Sequence, residues 1–111
     1  MHELGLAEDV LRLLKEEAQK KSLPKIEFAK VLIGETLISD PPEFKDLFAM
    51  ISAGSPAEGV RLEIEIVPLK AVCADCNKDF NPKNLRFDCP NCGSTNIKVA
   101  SGREIVIKEI G

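Results

Sequence analysis

Ala7, Val10, Leu11, Leu14 and Ala18 fall at i, i+3, i+4, i+7 and i+11, an apolar stripe that predicts an amphipathic helix from about Leu4 to about Lys21. Glu3, Glu8 and Asp9 precede Lys20 and Lys21 along it, the charge order that the helix dipole favours. Ser22-Leu23-Pro24 breaks the pattern, and Ile26 to Ile33 follows with partial alternation and strand-forming residues before Gly34, which predicts a strand. Asp40-Pro41-Pro42-Glu43 has the order of N-cap, proline at the first helical position and an acidic residue three after the cap. Phe44, Leu47, Phe48 and Ile51 give the resulting helix one apolar face, ended by Gly54-Ser55-Pro56.

From Val60 to Val67, Arg61, Glu63 and Glu65 alternate with Leu62, Ile64 and Ile66, the pattern of a strand covered on one face. Ser101-Gly102 leads into a further alternating run from Arg103 to Ile110, with Ile105 and Ile107 on one side. These two strands are expected to pair as sequential neighbours across the segment that separates them. The expected fold is α+β: a small mixed three-stranded sheet with two helices, plus an inserted metal ribbon. Residues 1–68, completed by 101–111, form one unit in this reading, and residues 69–100 form the other.

The inserted segment contains all four cysteines, as Cys73-Ala74-Asp75-Cys76 and Cys89-Pro90-Asn91-Cys92. Each pair can turn two thiolates toward one point, and together they can close a tetrahedral sulfur cage. With no signal peptide ahead of them, the spacing favours reduced, metal-binding thiols over disulfides. A closed cage leaves no coordination position for a substrate, so it reads as a structural clip, with Phe80, Leu85, Phe87, Ile97 and Val99 as its packing residues. Tetrahedral sulfur suits zinc and also iron, which leaves a rubredoxin-like electron carrier as one alternative.

Charge narrows the function further. The formal net charge is −3, and four thiolates with one divalent ion would make it more negative still. Within residues 69–100, Lys70, Lys78, Lys83, Arg86 and Lys98 exceed Asp75, Asp79 and Asp88 by two charges, which the two negative charges of a zinc tetrathiolate cancel. A nucleic-acid-binding zinc ribbon, the other alternative, would need a basic stripe that this balance lacks. Neither Trp nor Tyr occurs, which removes the usual base-stacking platforms. No apolar run approaches the roughly 20 residues of a membrane span, so a soluble, cytoplasmic protein is expected. An enzyme with a histidine-activated nucleophile is not expected either, because the one histidine is His2.

His2 follows Met1 directly, and the Met1 amine, the His2 amide nitrogen once deprotonated and the His2 imidazole can chelate one ion through fused small rings. Such nitrogen-rich, square-planar surroundings suit nickel or copper(II). The backbone nitrogen or carboxylate of Glu3 is the plausible fourth donor. The ordinary pKa values of an amine and an imidazole lie near about 7.7–8.0 and about 6.5, so acid would compete with the ion.

Met1-His2-Glu3-Leu4, Ile33-Gly34-Glu35, Asp40-Pro41, Gly54-Ser55-Pro56-Ala57-Glu58-Gly59, the two cysteine pairs with Gly93-Ser94, and Ser101-Gly102-Arg103-Glu104 together resemble the HypA family across the whole chain. The resemblance implies a nickel metallochaperone for maturation of NiFe-hydrogenase that works with the GTPase HypB and the hydrogenase large-subunit precursor. It places nickel on Met1, His2 and Glu3, and zinc on Cys73, Cys76, Cys89 and Cys92. At the position of a family aspartate, the resemblance implies for Asp40 either a supporting nickel ligand or a group behind the ligands, beside its equally strong reading as a helix cap. Two departures stand out: no histidine lies beside the cysteine pairs, and Gly5 stands where serine is frequent. Oligomerisation, and service to urease as well as hydrogenase, are further options under the resemblance.

Overall fold

The computed structural model describes residues 3–82 and 86–111; Met1, His2, Lys83 and Leu85, which carry expectations above, lie outside them. Among the described residues the chain forms two helices and six strands. Helix α1 (Glu3–Lys20) buries Leu6, Ala7, Val10, Leu14 and Ala18, and Glu3 with them. It ends where Ser22 adopts a left-handed φ of 56°. The Leu23 N–H then reaches the Ala18 carbonyl at 2.8 Å and the Ser22 N–H reaches that of Gln19 at 3.2 Å, closing the last turn. Strand β1 (Phe28–Gly34) follows, then helix α2 (Pro41–Ile51), whose first turn is capped by Asp40 Oδ1 accepting from the Glu43 N–H at 3.1 Å. The remaining strands are β2 (Arg61–Val67), β3 (Lys70–Cys73), β4 (Asp79–Phe80), β5 (Ile97–Ser101) and β6 (Ile105–Ile110).

The first sheet is mixed and has the order β2-β1-β6, with β1 parallel to β2 and antiparallel to β6. This corrects the expectation that β2 and β6 are neighbours, since β1 lies between them. Hydrophobicity explains the order: β1 carries Ala29, Val31 and Ile33 at zero exposure and needs neighbours on both edges. The alternating charges of β2 tolerate an edge. Ala29, Val31 and Ile33 meet Leu6, Val10 and Leu14 of α1 and Phe44 and Phe48 of α2 in one core, so the helices cover one face of the sheet. Ile66, expected to point inward, is 42% exposed, on a strand that has a neighbour on one edge only.

A second sheet, β4-β3-β5, is antiparallel and lies between Val67 and Ile105 in sequence. Its strands of two to five residues are too short and too polar to announce themselves by alternation. In and around it, Leu69, Ala71, Cys73, Pro82 and Cys89 are buried. Phe80, Ile97 and Val99 are half-buried, whereas Phe87, expected to pack, is 38% exposed. The molecule measures 52 × 27 × 16 Å with a radius of gyration of 16.8 Å. A single compact body of this length would have about 13 Å, so the two sheets extend the molecule along one axis.

The end of β1 and the loop after it hold both segments of chain that pass between the sheets. The Glu35 N–H donates to the Val67 carbonyl at 2.9 Å, and the Gly34 N–H to that of Glu104 at 2.8 Å. The Leu69 N–H donates to Glu35 Oε1 at 2.6 Å, and the Thr36 hydroxyl to the Gly102 carbonyl at 2.7 Å.

Candidate metal centre

The two cysteine pairs are presented by the same turn used twice. After Cys73, the Asn77 N–H donates to the Cys73 carbonyl at 2.8 Å, and the Cys73 N–H to the Lys78 carbonyl at 2.9 Å. After Cys89, the Gly93 N–H donates to the Cys89 carbonyl at 2.8 Å, and the Cys89 N–H to the Ser94 carbonyl at 2.8 Å. Each turn requires a left-handed residue at its fourth step, which is Asn77 (φ 62°) in the first and Gly93 (φ 75°) in the second. Asn and Gly tolerate that conformation best. Strand β3 delivers Cys73 to the first turn, and the Ala74 N–H bonds the Asn96 carbonyl at 2.9 Å, which ties it to the chain leaving the second.

All four Sγ atoms lie within 4.8 Å of one another, with Cys73–Cys92 and Cys76–Cys89 each at 3.6 Å. A tetrahedron of zinc–sulfur bonds of about 2.3 Å has edges of about 3.8 Å, and a disulfide bond would be near 2.05 Å. The four are free thiols at metal-site spacing. The Asn91 N–H reaches Cys89 Sγ at 3.4 Å and its side-chain amide reaches Cys76 Sγ at 3.7 Å, donors that favour thiolate. The residues therefore fit a structural zinc, which would supply folding energy to a module with little apolar core of its own.

Without a metal the thiols titrate far apart. The backbone of Lys78, helped by Asn91, lowers Cys76 to about 6. For Cys92 the Ser94 backbone pulls downward, but the neighbouring thiol of Cys73, burial, and Cys89 and Cys76 together outweigh it and push the group up to about 12. Four sulfurs this close cannot all ionise unless a cation joins them.

At the other end of the molecule, Glu3 opens α1 and is only 5% exposed. Its Oε1 accepts from the Ser39 N–H at 3.1 Å and from the Ser39 hydroxyl at 3.0 Å. Its Oε2 is buried and meets no hydrogen-bond partner among the described residues. Ser39 immediately precedes the Asp40 cap, so the first turns of both helices are joined at this point. Asp40 is exposed and uses Oδ1 as the cap. Sequence reasoning named Glu3 and Asp40 but missed Ser39, since nothing local ties it to a residue 36 positions away.

The family model described as "Hydrogenase/urease nickel incorporation, metallochaperone, hypA" matches residues 1–111. The chain is 34% identical over 110 residues to a hydrogenase maturation factor HypA of Dechloromonas aromatica, covering 99% of this chain and 97% of the relative. It is 33% identical to that of Azotobacter vinelandii over the same shares. Among solved structures, the solution structure of the Ni metallochaperone HypA from Helicobacter pylori superposes with a TM-score of 0.73 at 28% identity, covering 99% of this chain and 96% of that one.

Proposed function

The chain belongs to the HypA family of hydrogenase/urease nickel-incorporation metallochaperones, and from that premise we propose that it takes up Ni2+ on Met1-His2-Glu3 and passes it on there. Nickel is the transported metal, and the four-cysteine site is a separate centre consistent with structural zinc. The observation that carries the reading is the buried carboxylate of Glu3, with one oxygen held by Ser39 and the other unengaged among the described residues. It directly follows the amine, amide and imidazole donors of Met1 and His2.

The physical chemistry of a helix start supports this. The first N–H groups of a helix have no intrahelical acceptors, so a deprotonated backbone nitrogen here breaks no helical hydrogen bond. The same terminus carries about half a positive charge, which would repel a divalent cation unless anionic donors offset it. The Glu3 carboxylate and the deprotonated His2 amide do so in this reading, and Asp40, one residue beyond Ser39, adds negative charge from outside the ligand set.

Cargo must also leave. Ligands at a chain end can be surrendered one at a time, and protonation of the amine and imidazole weakens the hold as pH falls. The nickel unit in this reading is residues 1–68 with 101–111, and residues 69–100 are the zinc clip. The partners proposed are HypB GTPase and the hydrogenase large-subunit precursor, with the cytoplasm as the compartment, carriage rather than catalysis as the task, and self-association as a further option. Among the described residues, no helix is long and apolar enough to cross a membrane.

Elemental analysis after purification, with and without added Ni2+, tests the reading. One tightly held zinc and one exchangeable nickel per chain is the expected result. A second tight zinc with no nickel uptake would contradict it, and a red, iron-loaded protein would favour the electron carrier.

A further inference from the structure

We infer that Ser39 is a positioning residue for nickel, fixing the Glu3 carboxylate so that Oε2 alone is offered to the ion. The inference rests on the proposed amino-terminal nickel site. Ser39 supplies both a backbone N–H (3.1 Å) and a hydroxyl (3.0 Å) to the same oxygen, Oε1. Two donors converging on one oxygen fix the carboxylate in position and in rotation, and they consume the atom that a bidentate metal contact would require. Oε2 is left buried and without a partner among the described residues, at the first residue of α1.

An unpartnered buried carboxylate oxygen costs free energy unless something fills its place. A cation bound through Oε2 would satisfy it and turn a local cost of the folded chain into binding energy. A carboxylate free to rotate could instead offer both oxygens, which would favour the higher coordination numbers of hard cations over a four-coordinate nickel site. Holding a ligand from behind in this way commonly sets both metal affinity and selectivity. Ser39 is itself exposed, so changing its side chain leaves the core intact.

The test compares Ser39→Ala, Ser39→Thr and His2→Ala in the full-length, zinc-loaded protein, reading Ni2+ affinity by calorimetry, the d–d absorption band of bound nickel, zinc content and far-UV circular dichroism. Ser39→Ala keeps the backbone donor and loses the hydroxyl. It is expected to weaken nickel about tenfold and to shift the d–d band, with zinc content and circular dichroism unchanged. Ser39→Thr, which retains a hydroxyl, is expected to restore both readings. If Ser39→Ala binds nickel with native affinity and spectrum while His2→Ala loses it, the positioning role is overturned and the amino-terminal site stands. If His2→Ala also keeps native affinity, the amino-terminal site is overturned and the role of Ser39 falls with it.

Discussion

Glu35 and Leu69, 34 residues apart, are joined by a hydrogen bond of 2.6 Å from the Leu69 N–H to Glu35 Oε1. The bond ties the loop after β1 to the Pro68-Leu69 link that carries the chain from β2 out to the cysteine sheet. Glu35→Ala should remove this grip without touching the cysteines. The expected cost is about 1 kcal/mol, with faster hydrogen exchange at the Leu69 amide and unchanged zinc content. Unaltered exchange at Leu69 would show that the bond does not hold the crossing.

Gly34 lies against the returning segment of the same crossing. A Cβ there would come within 2.3 Å of the Gly102 carbonyl carbon and oxygen and 2.6 Å of the Arg103 nitrogen, all backbone atoms that cannot swing away. Gly34→Ala should therefore force β1 and the returning strand apart and cost roughly 2–4 kcal/mol, read as a lowered midpoint in urea. A midpoint within error of the native one would contradict the close packing.

Much of this molecule can be read from periodicity. Both helices, the Asp40 cap and the three strands of the first sheet follow from apolar spacing and turn residues within single segments. Strand order does not, because alternation tells which face of β2 or β6 is buried but not which strand lies alongside. Glu3 illustrates the same limit at the site: an acidic residue in a first helical turn reads as solvated, and its burial depends on Ser39, far along the chain. The cysteine spacing gave the metal centre, yet the strands that support it are too short to leave a pattern, and Phe87 is exposed where apolar character alone suggested packing.

The thiols of the metal-free protein should react in an order that exposure alone would not give. Cys92 is the exposed member of the four, but its pKa is pushed up to about 12, whereas Cys76 is lowered to about 6. Since the thiolate is the nucleophile, iodoacetamide at pH 7 should label Cys76 first and Cys92 last, and bound zinc should protect all four. Labelling of Cys92 ahead of Cys76 would contradict the assigned shifts.

The same shifts fix a pH dependence for the metal-free fold. Cys76 ionises more easily folded than at its ordinary value of 9.0, so its contribution to stability is complete above pH 9 and lost as pH falls through about 6. Cys92 acts oppositely: its contribution is complete below pH 9 and lost as pH rises through about 12. Urea midpoints measured on the metal-free protein should therefore rise from pH 6 toward pH 9 as far as Cys76 governs them. A midpoint that falls over that interval would contradict the sign.

The central claim is that nickel is held by the amino-terminal segment and not by the sulfur cage. A calorimetric Ni2+ titration of zinc-loaded protein, with and without a Gly-Ser extension ahead of Met1, tests it most directly. The extension converts the Met1 amine into an amide and leaves every cysteine in place. The predicted result is a loss of nickel affinity of about 100-fold or more at unchanged zinc content. Equal nickel affinity in the two proteins would contradict the claim.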